Sequence, residues 1–334
     1  MARHSMIALV SLATLMCFGL STPVSAQGTA EPPREWAPDL LSDGQPNIQG
    51  LWNNVDAIHT PLELPDALAG QESFTQEELQ NFVDERSARS LAAGQDGIMP
   101  GTGFYDLYWF DWYWRDAVAG DWPALLVEPT SGKMPAMTEA ARDSARDMRE
   151  HIHDTYANME AGDRCLTRGV LGMMMPTAYN NGTLIVQAPG YVVLHSEMIH
   201  NARIIPLDGH PHVTERIDQW DGDPRGHWEG TTLVVESTNF KAVDNLRMPR
   251  GWARQTEARR LTERFTVVDQ NTLRYSITVD DPATYTESWT VAFPLRRDDE
   301  YQQFEYACHE GNYSVPNMLA GARNSERQAR ASSR

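Results

Sequence analysis

The residues best suited to chemistry are concentrated between positions 179 and 240. There, five of the ten histidines (His195, His200, His210, His212, His227) are interleaved with Glu197, Arg203, Asp208, Asp223, Arg225 and Glu229. Imidazoles beside carboxylates support proton transfer, and histidine-rich turns can also ligate a metal. His195 and Glu197 lie two apart in an apolar, strand-like run (residues 191–198), so they share one face, about 7 Å apart along the strand. If that face lines a barrel interior, the two form an acid/base pair. Burial there raises a carboxylate pKa and lowers that of an isolated imidazole. The plainer reading is that His195 bonds a neighbouring strand and Glu197 pairs with Arg203.

Three further segments carry candidates. The run WDGDPRGHWEGTTLVVESTNF is a tight polar turn presenting Asp223, Arg225, His227 and Glu229 beside Trp228, followed by a strand that reaches Asn239. It fits the rim of a ligand cavity, or an Asp–Arg pair that only fixes the turn. In EYACHEGNY, His309 follows Cys308, and a cysteine held in a bridge would support that imidazole rigidly. Residues 105–115 contain seven aromatics, among them Tyr108 and Trp109, with Asp111 between them. They form either one wall of an apolar-ligand pocket or a packing anchor. A metal alternative uses His210 and His212, which flank a proline in a turn, with Glu197, His200 or Glu229 as a third ligand. Neither a Gly-x-Ser-x-Gly elbow, a phosphate loop, a His-Glu-x-x-His pair nor a Cys-x-x-Cys pair occurs, which disfavours the standard serine hydrolase, P-loop, zincin and thioredoxin chemistries.

The elements that must position these groups follow from periodicity. After Cys165, apolar residues alternate with period two in six short runs, separated by turns such as Pro189-Gly190, Glu229-Gly230 and Asp269-Gln-Asn271. Short strands without intervening helices predict a mainly β fold, an antiparallel lipocalin-like barrel or half-barrel. Before it, residues 27–160 read as an irregular and helical wrap. Trp52 serves as its anchor, Thr75-x-x-Glu78 caps one helix and a long helix is expected from Thr138 to about Met159. The predicted organisation is 1–26 signal peptide, 27–160 wrap, 161–314 barrel and 315–334 helix or tail.

The leader has a basic start, an apolar run and the small-residue ending Val24-Ser25-Ala26, so a periplasmic or secreted location is expected. Its removal takes away Arg3 and leaves 27 basic against 46 acidic residues, a net charge of −19. That balance disfavours nucleic acid as a partner, and no later run is long enough to span a membrane. Cys165 and Cys308 remain after cleavage and are expected to form a disulfide. Oligomeric state is left open by the sequence.

The runs EMIHNARIIPLDGHPH, GHWEGTTLVVESTNF and EYACHEGNY, in this order, resemble an uncharacterised family of secreted bacterial proteins. The likeness spans about residues 104–323, with departures at Pro224, where that family has Ser, and at Trp112-Tyr113, where it has Arg-Gly. It implies no particular activity. The hairpin GHWEGTTLVVES followed by LTERFTVVDQNTLRYSITVDDP is similar, at the level of fold, to lipocalin-like hydratases and isomerases. That resemblance implies a barrel carrying acid/base side chains and acting without a cofactor.

The sequence thus points to an exported, cofactor-independent lyase or isomerase acting on a small, largely apolar, oxygenated molecule of isoprenoid or phenolic type. Glu197, His200, His309 and Asp223 are the catalytic candidates, the first three as proton carriers. Arg203, Arg225, Tyr108, Trp109, Asp111, Trp228 and Asn239 are expected to hold substrate. The sharpest form of the expectation has Glu197, Arg203 and the 223–229 turn meeting His309, held by the disulfide. The alternatives are a hydrolase using a divalent metal on His210, His212 and Glu229, and a periplasmic small-molecule binding protein.

Overall fold

In a computed structural model, residues 36–71, 73–95, 109–114, 116–248 and 251–333 are described. The leader and Tyr108 lie outside them. Nine strands form an antiparallel, nearly closed barrel: β1 (Gly50–Asn53), β3 (Gly182–Ala188), β4 (Tyr191–Ser196), β5 (Asn201–Pro206), β6 (Asp223–Glu229), β7 (Thr232–Thr238), β10 (Arg260–Asp269), β11 (Thr272–Asp280) and β12 (Trp289–Arg297). Their order around the barrel is β5-β4-β3-β1-β12-β11-β10-β7-β6. A short strand, β2 (Leu126–Glu128), pairs with β12, and β8 (Val243–Met248) pairs with β9 (Gly251–Gln255) as a separate ribbon. At the seam β5 comes close against β6: a Cβ built on Gly226 would lie 2.7 Å from Ile205 Cγ2. Any larger residue there would push the seam apart.

The period-two pattern works as expected on the physical grounds that produced it. Val192 and Leu194 on β4, Leu233 and Val235 on β7, Phe265 on β10 and Tyr275 on β11 all join one core, while the residues between them face outward. The predicted turns fall between β3 and β4 at Gly190 and between β6 and β7 at Gly230, both with positive φ. The Phe265, Tyr275 and Phe293 rings form a row across three adjacent strands, with centroids 4.9 and 5.2 Å apart. A short helix, α3 (Gly169–Met174), is wholly buried and packs Val170, Leu171 and Met174 into the same core.

Two elements before the barrel differ from expectation. The Trp52 segment does not lie over the barrel; it is a stave of it, with β1 paired to β3 on one side and β12 on the other. Trp52 is 2 % exposed because it faces the interior. The second helix, α2 (Glu139–His151), starts at the expected Thr138 cap, whose hydroxyl accepts from Ala141 N at 3.1 Å, but stops well short of Met159. The first helix, α1 (Gln76–Gln95), has the reciprocal capping box. Thr75 N donates to Glu78 Oε2 at 2.7 Å, and Glu78 N donates to Thr75 Oγ1 at 3.2 Å. The Arg-rich end of the chain is a helix, α4 (Ser314–Ser332).

Cys165 and Cys308 are bridged, at a sequence separation of 143. Closing so long a loop restrains the unfolded chain by about 5 kcal/mol in the chain-entropy treatment. Among the described residues no helix is long and apolar enough to cross a membrane.

Candidate functional site

Beyond the end of β4 the chain makes an unusual turn. Glu197 leaves the strand in a helical conformation, but Ile199 (φ 59°) and His200 (φ 44°) are both left-handed. That region is disfavoured for any residue with a Cβ, and most of all for a β-branched one, at a cost on the order of 1–3 kcal/mol each. The turn is held by two backbone hydrogen bonds, His200 N to Glu197 O and Glu197 N to Gly182 O, both 2.9 Å. The His200 ring adds a third, since Nδ1 lies 2.8 Å from the Tyr306 carbonyl oxygen. A carbonyl can only accept, so Nδ1 is the donor in this contact.

This turn forms part of a cleft of about 780 Å³. Its opposite walls are the loop carrying Glu160 and Asp163 and the segment that follows β12, from Tyr301 to Cys308. The disulfide ties these two walls together, and Asn312 Nδ2 adds a hydrogen bond to Asp163 O at 2.9 Å. Trp109 and Asp111 contribute a further edge. Asp111 Oδ2 accepts from the main-chain and side-chain nitrogens of Asn181, at 3.0 and 2.8 Å.

Glu197 is the best-prepared group in the cleft. It is 2 % exposed and yet borders the cavity. The Tyr301 hydroxyl donates to its Oε2, and Phe304 N donates to its Oε1 at 3.1 Å. Gly182 permits this arrangement, because a Cβ there would stand 2.6 Å from the Tyr301 ring. Five carboxylates (Asp111, Glu160, Asp163, Glu197, Glu305) and one guanidinium, Arg168, line the cavity together with aromatic rings. Trp109 is 57 % exposed and Phe304 71 %, flat apolar surfaces beside the acids. A carboxylate already engaged by a phenol, next to exposed rings, can take a proton from a stacked oxygenated molecule and return it.

The remaining sequence candidates divide among several places. His195 and Glu197 do face the same way, but outward from the barrel. Leu194 and Ser196 take the inward positions, and the segment after β12 covers the outer face, with Gln303 Oε1 3.1 Å from His195 Nδ1. Arg203 points inward and meets Glu263, not Glu197. Its Nη1 donates to Glu263 Oε1 at 3.0 Å, its Nη2 donates to Oε2, and the Tyr275 hydroxyl donates to Oε1 at 3.0 Å. Burial opposes the Arg203 charge, but Glu263 outweighs it and holds the guanidinium above its ordinary pKa. Burial, with Glu263 adding to it, pushes the Tyr275 hydroxyl well above the usual tyrosine range.

His309 is exposed in the turn after Cys308 and is not among the residues lining the cleft. The expected meeting of Glu197, Arg203 and His309 is therefore not what the structure shows: strand alternation turns Arg203 into the barrel, and the disulfide fixes Cys308 while His309 turns to solvent. Asp223 sits at the start of β6 and accepts from Arg225 Nη1 at 2.9 Å and Val213 N at 3.0 Å, with His212 Nδ1 3.1 Å away. That network fixes a loop. Asn239 does the same just beyond β7, donating to the carbonyls of Val213, Thr214 and Ile217. Trp228 packs on the barrel core and donates to Gln45 Oε1 at 3.0 Å.

The three alternative metal ligands have separate partners: His210 with Asp208, His212 with Asp223, and Glu229 with His227 and Arg264. Among the described residues no group of three or more His, Cys, Asp or Glu is arranged to hold a metal ion. The sequence did not single out Tyr301, Glu160, Asp163 or the Glu263–Tyr275 pair. For Glu263 and Tyr275 the inward register was legible; Tyr301 precedes the alternating Phe304, Tyr306 and Cys308, which read as a strand but form none. Comparison with protein-family models, curated proteins and solved structures finds no match.

Proposed function

We propose that this chain is an exported enzyme, a lyase or isomerase that works by general acid/base catalysis without a cofactor. Its substrate is a small oxygenated molecule of phenolic or isoprenoid type. The observation that supports this reading is Glu197, buried at the edge of the cleft and clamped by the Tyr301 hydroxyl and Phe304 N. In this scheme Glu197 takes a proton from one carbon and returns it to another carbon (isomerase) or to the departing oxygen (lyase), the Tyr301 hydroxyl donating to Oε2 holds the carboxylate in place, and Trp109 or Phe304 stacks on the apolar part of the substrate. His200 stands on the same turn but, like His309, is not among the residues lining the cleft, so this scheme gives it no step.

The test uses purified chain with a panel of phenols and isoprenoid alcohols in heavy water, followed by proton NMR. Deuterium entering a carbon position reports proton abstraction even where no net product forms. Exchange by the wild type and its loss in a folded Glu197→Gln variant are expected. A folded variant that exchanges at the wild-type rate removes Glu197 from the mechanism.

The exposed Trp109 ring also suits a binding protein with no chemistry of its own. A ligand recovered unchanged from the purified chain, with no exchange in any panel member, favours that second reading.

A further inference from the structure

Among the five carboxylates of the cleft that holds Glu197 stands one guanidinium, Arg168. Its backbone is fixed from both sides. Thr167 Oγ1 donates to Asp221 Oδ1 at 2.7 Å and accepts from Gly169 N at 2.8 Å, and Gly169 begins the buried helix α3. The Arg168 stem runs along the wall at Gly162, where an added Cβ would stand 3.6 Å from Arg168 Cγ. That wall is the one anchored by the disulfide, with the Gly162 carbonyl oxygen 3.9 Å from Cys308 Sγ.

The far end of the side chain is unengaged. Arg225 and Arg296, both part-buried, each hold a carboxylate at 2.9 Å, and the buried Arg203 and Arg259 hold Glu263 and Asp281. Arg168 is part-buried too, yet its side chain forms no ion pair or hydrogen bond with any described residue. A guanidinium stays charged and presents five N–H donors in a fixed fork, so its complement in a cavity is an oxygen acceptor. An anionic ligand would meet five carboxylates against this one cation, which disfavours it. The acceptor that fits is a neutral oxygen that becomes negative only during reaction.

We propose that Arg168 is a catalytic residue of this cleft, donating to a carbonyl oxygen, and that the substrate is a small neutral aldehyde, ketone or ester. The proposal rests on the reading of Glu197 as the base. Glu197 takes the proton from the carbon beside the carbonyl. The C–H electron pair becomes a C=C bond, and the carbonyl π pair moves onto the oxygen that faces Arg168. The proton then returns from Glu197 to the γ-carbon of an unsaturated carbonyl, or to a β-oxygen whose bond to carbon breaks as the enolate collapses. No further reactant is consumed.

The test has two arms on the purified full chain. In heavy water, aryl and isoprenoid ketones should take up deuterium beside the carbonyl, and Arg168→Met should slow this about 100-fold or more, with part of the rate kept in Arg168→Lys. In the second arm 4-nitrophenol, whose phenolate oxygen stands in for the enolate, is titrated in the bound state by its absorbance. Arg168→Met should raise the midpoint by removing a positive charge, and Glu197→Gln should lower it by removing a negative one. This arm needs no turnover: a midpoint raised by Arg168→Met without any exchange by the wild type sinks Glu197 as base and supports Arg168 as the oxygen site. Failure of 4-nitrophenol to bind, a midpoint that Arg168→Met leaves unchanged, or wild-type exchange in the folded Arg168→Met variant overturns the proposal.

Discussion

Two carboxylates in this molecule each accept a hydrogen bond from a tyrosine hydroxyl, Glu263 from Tyr275 and Glu197 from Tyr301. Glu263 is fully buried and has a guanidinium against both its oxygens, so its charge is neutralised in place. Glu197 is nearly as buried, but its hydrogen-bond partners are a phenol and a backbone N–H, and beside it is a large cavity. The first arrangement is a sealed cross-link between β5, β10 and β11. The second keeps a carboxylate satisfied without a counter-charge and leaves room for a reactant. The lesson is that burial alone does not mark a reactive acid; the charge of its partners and the space beside it do.

The comparison breaks most readily at Arg203. Arg203→Met strands the Glu263 charge in the interior, and a loss of about 3–5 kcal/mol is expected by urea unfolding. The double variant Arg203→Met/Glu263→Leu should recover most of it. If the single variant is as stable as wild type, the interior pair is not the cross-link described. Glu197→Gln should act the other way, keeping stability within about 1 kcal/mol while lowering carbon–deuterium exchange by about 100-fold or more.

The two tyrosines sharpen the contrast. Tyr275→Phe should cost about 1–2 kcal/mol by leaving Glu263 Oε1 short of a donor. Tyr301→Phe should be read mainly in exchange rate, with a loss of about tenfold. Equal stability losses with no change in exchange would make both tyrosines structural.

The smallest effect belongs to an exposed pair. The hydrogen bond and charge of Asp154 raise the His151 pKa above its ordinary value of 6.5. The folded state therefore holds the proton more tightly than the unfolded one. The resulting stabilisation is complete below about pH 6.5 and disappears as pH rises through the higher folded value. An NMR titration of the His151 ring should show a midpoint above 6.5, and a midpoint at or below that value contradicts the pairing.

What could be read from sequence was whatever repeats locally. Strand alternation in 191–196 and 272–280, the Thr75–Glu78 cap and the two post-leader cysteines each carry their signal within a few residues or in a simple count. Glu197 was visible because it follows an alternating strand, but the face it occupies depends on what covers it. The cover is Tyr301 and Phe304, more than a hundred residues away; the alternation of Phe304, Tyr306 and Cys308 reads as a sixth strand, but residues 301–307 form none and lie over the barrel instead. Arg203 was assigned to the wrong acid for a related reason: Glu197 is its neighbour in sequence, and Glu263 is its neighbour only once the barrel has formed. The four residues of β1 were too few to show alternation, and their glycine and asparagine read as loop.

That short first strand has a kinetic consequence. β1 is among the earliest of the barrel residues to be synthesised, yet its partners are residues 182–185 and 296–297. The ring of strands therefore cannot be completed until nearly the whole polypeptide exists. Pairings of such long sequence separation slow folding, so a nascent chain would spend its elongation without a finished barrel. A truncation before residue 296 should leave β1 without its β12 neighbour and expose the edge that aggregation exploits.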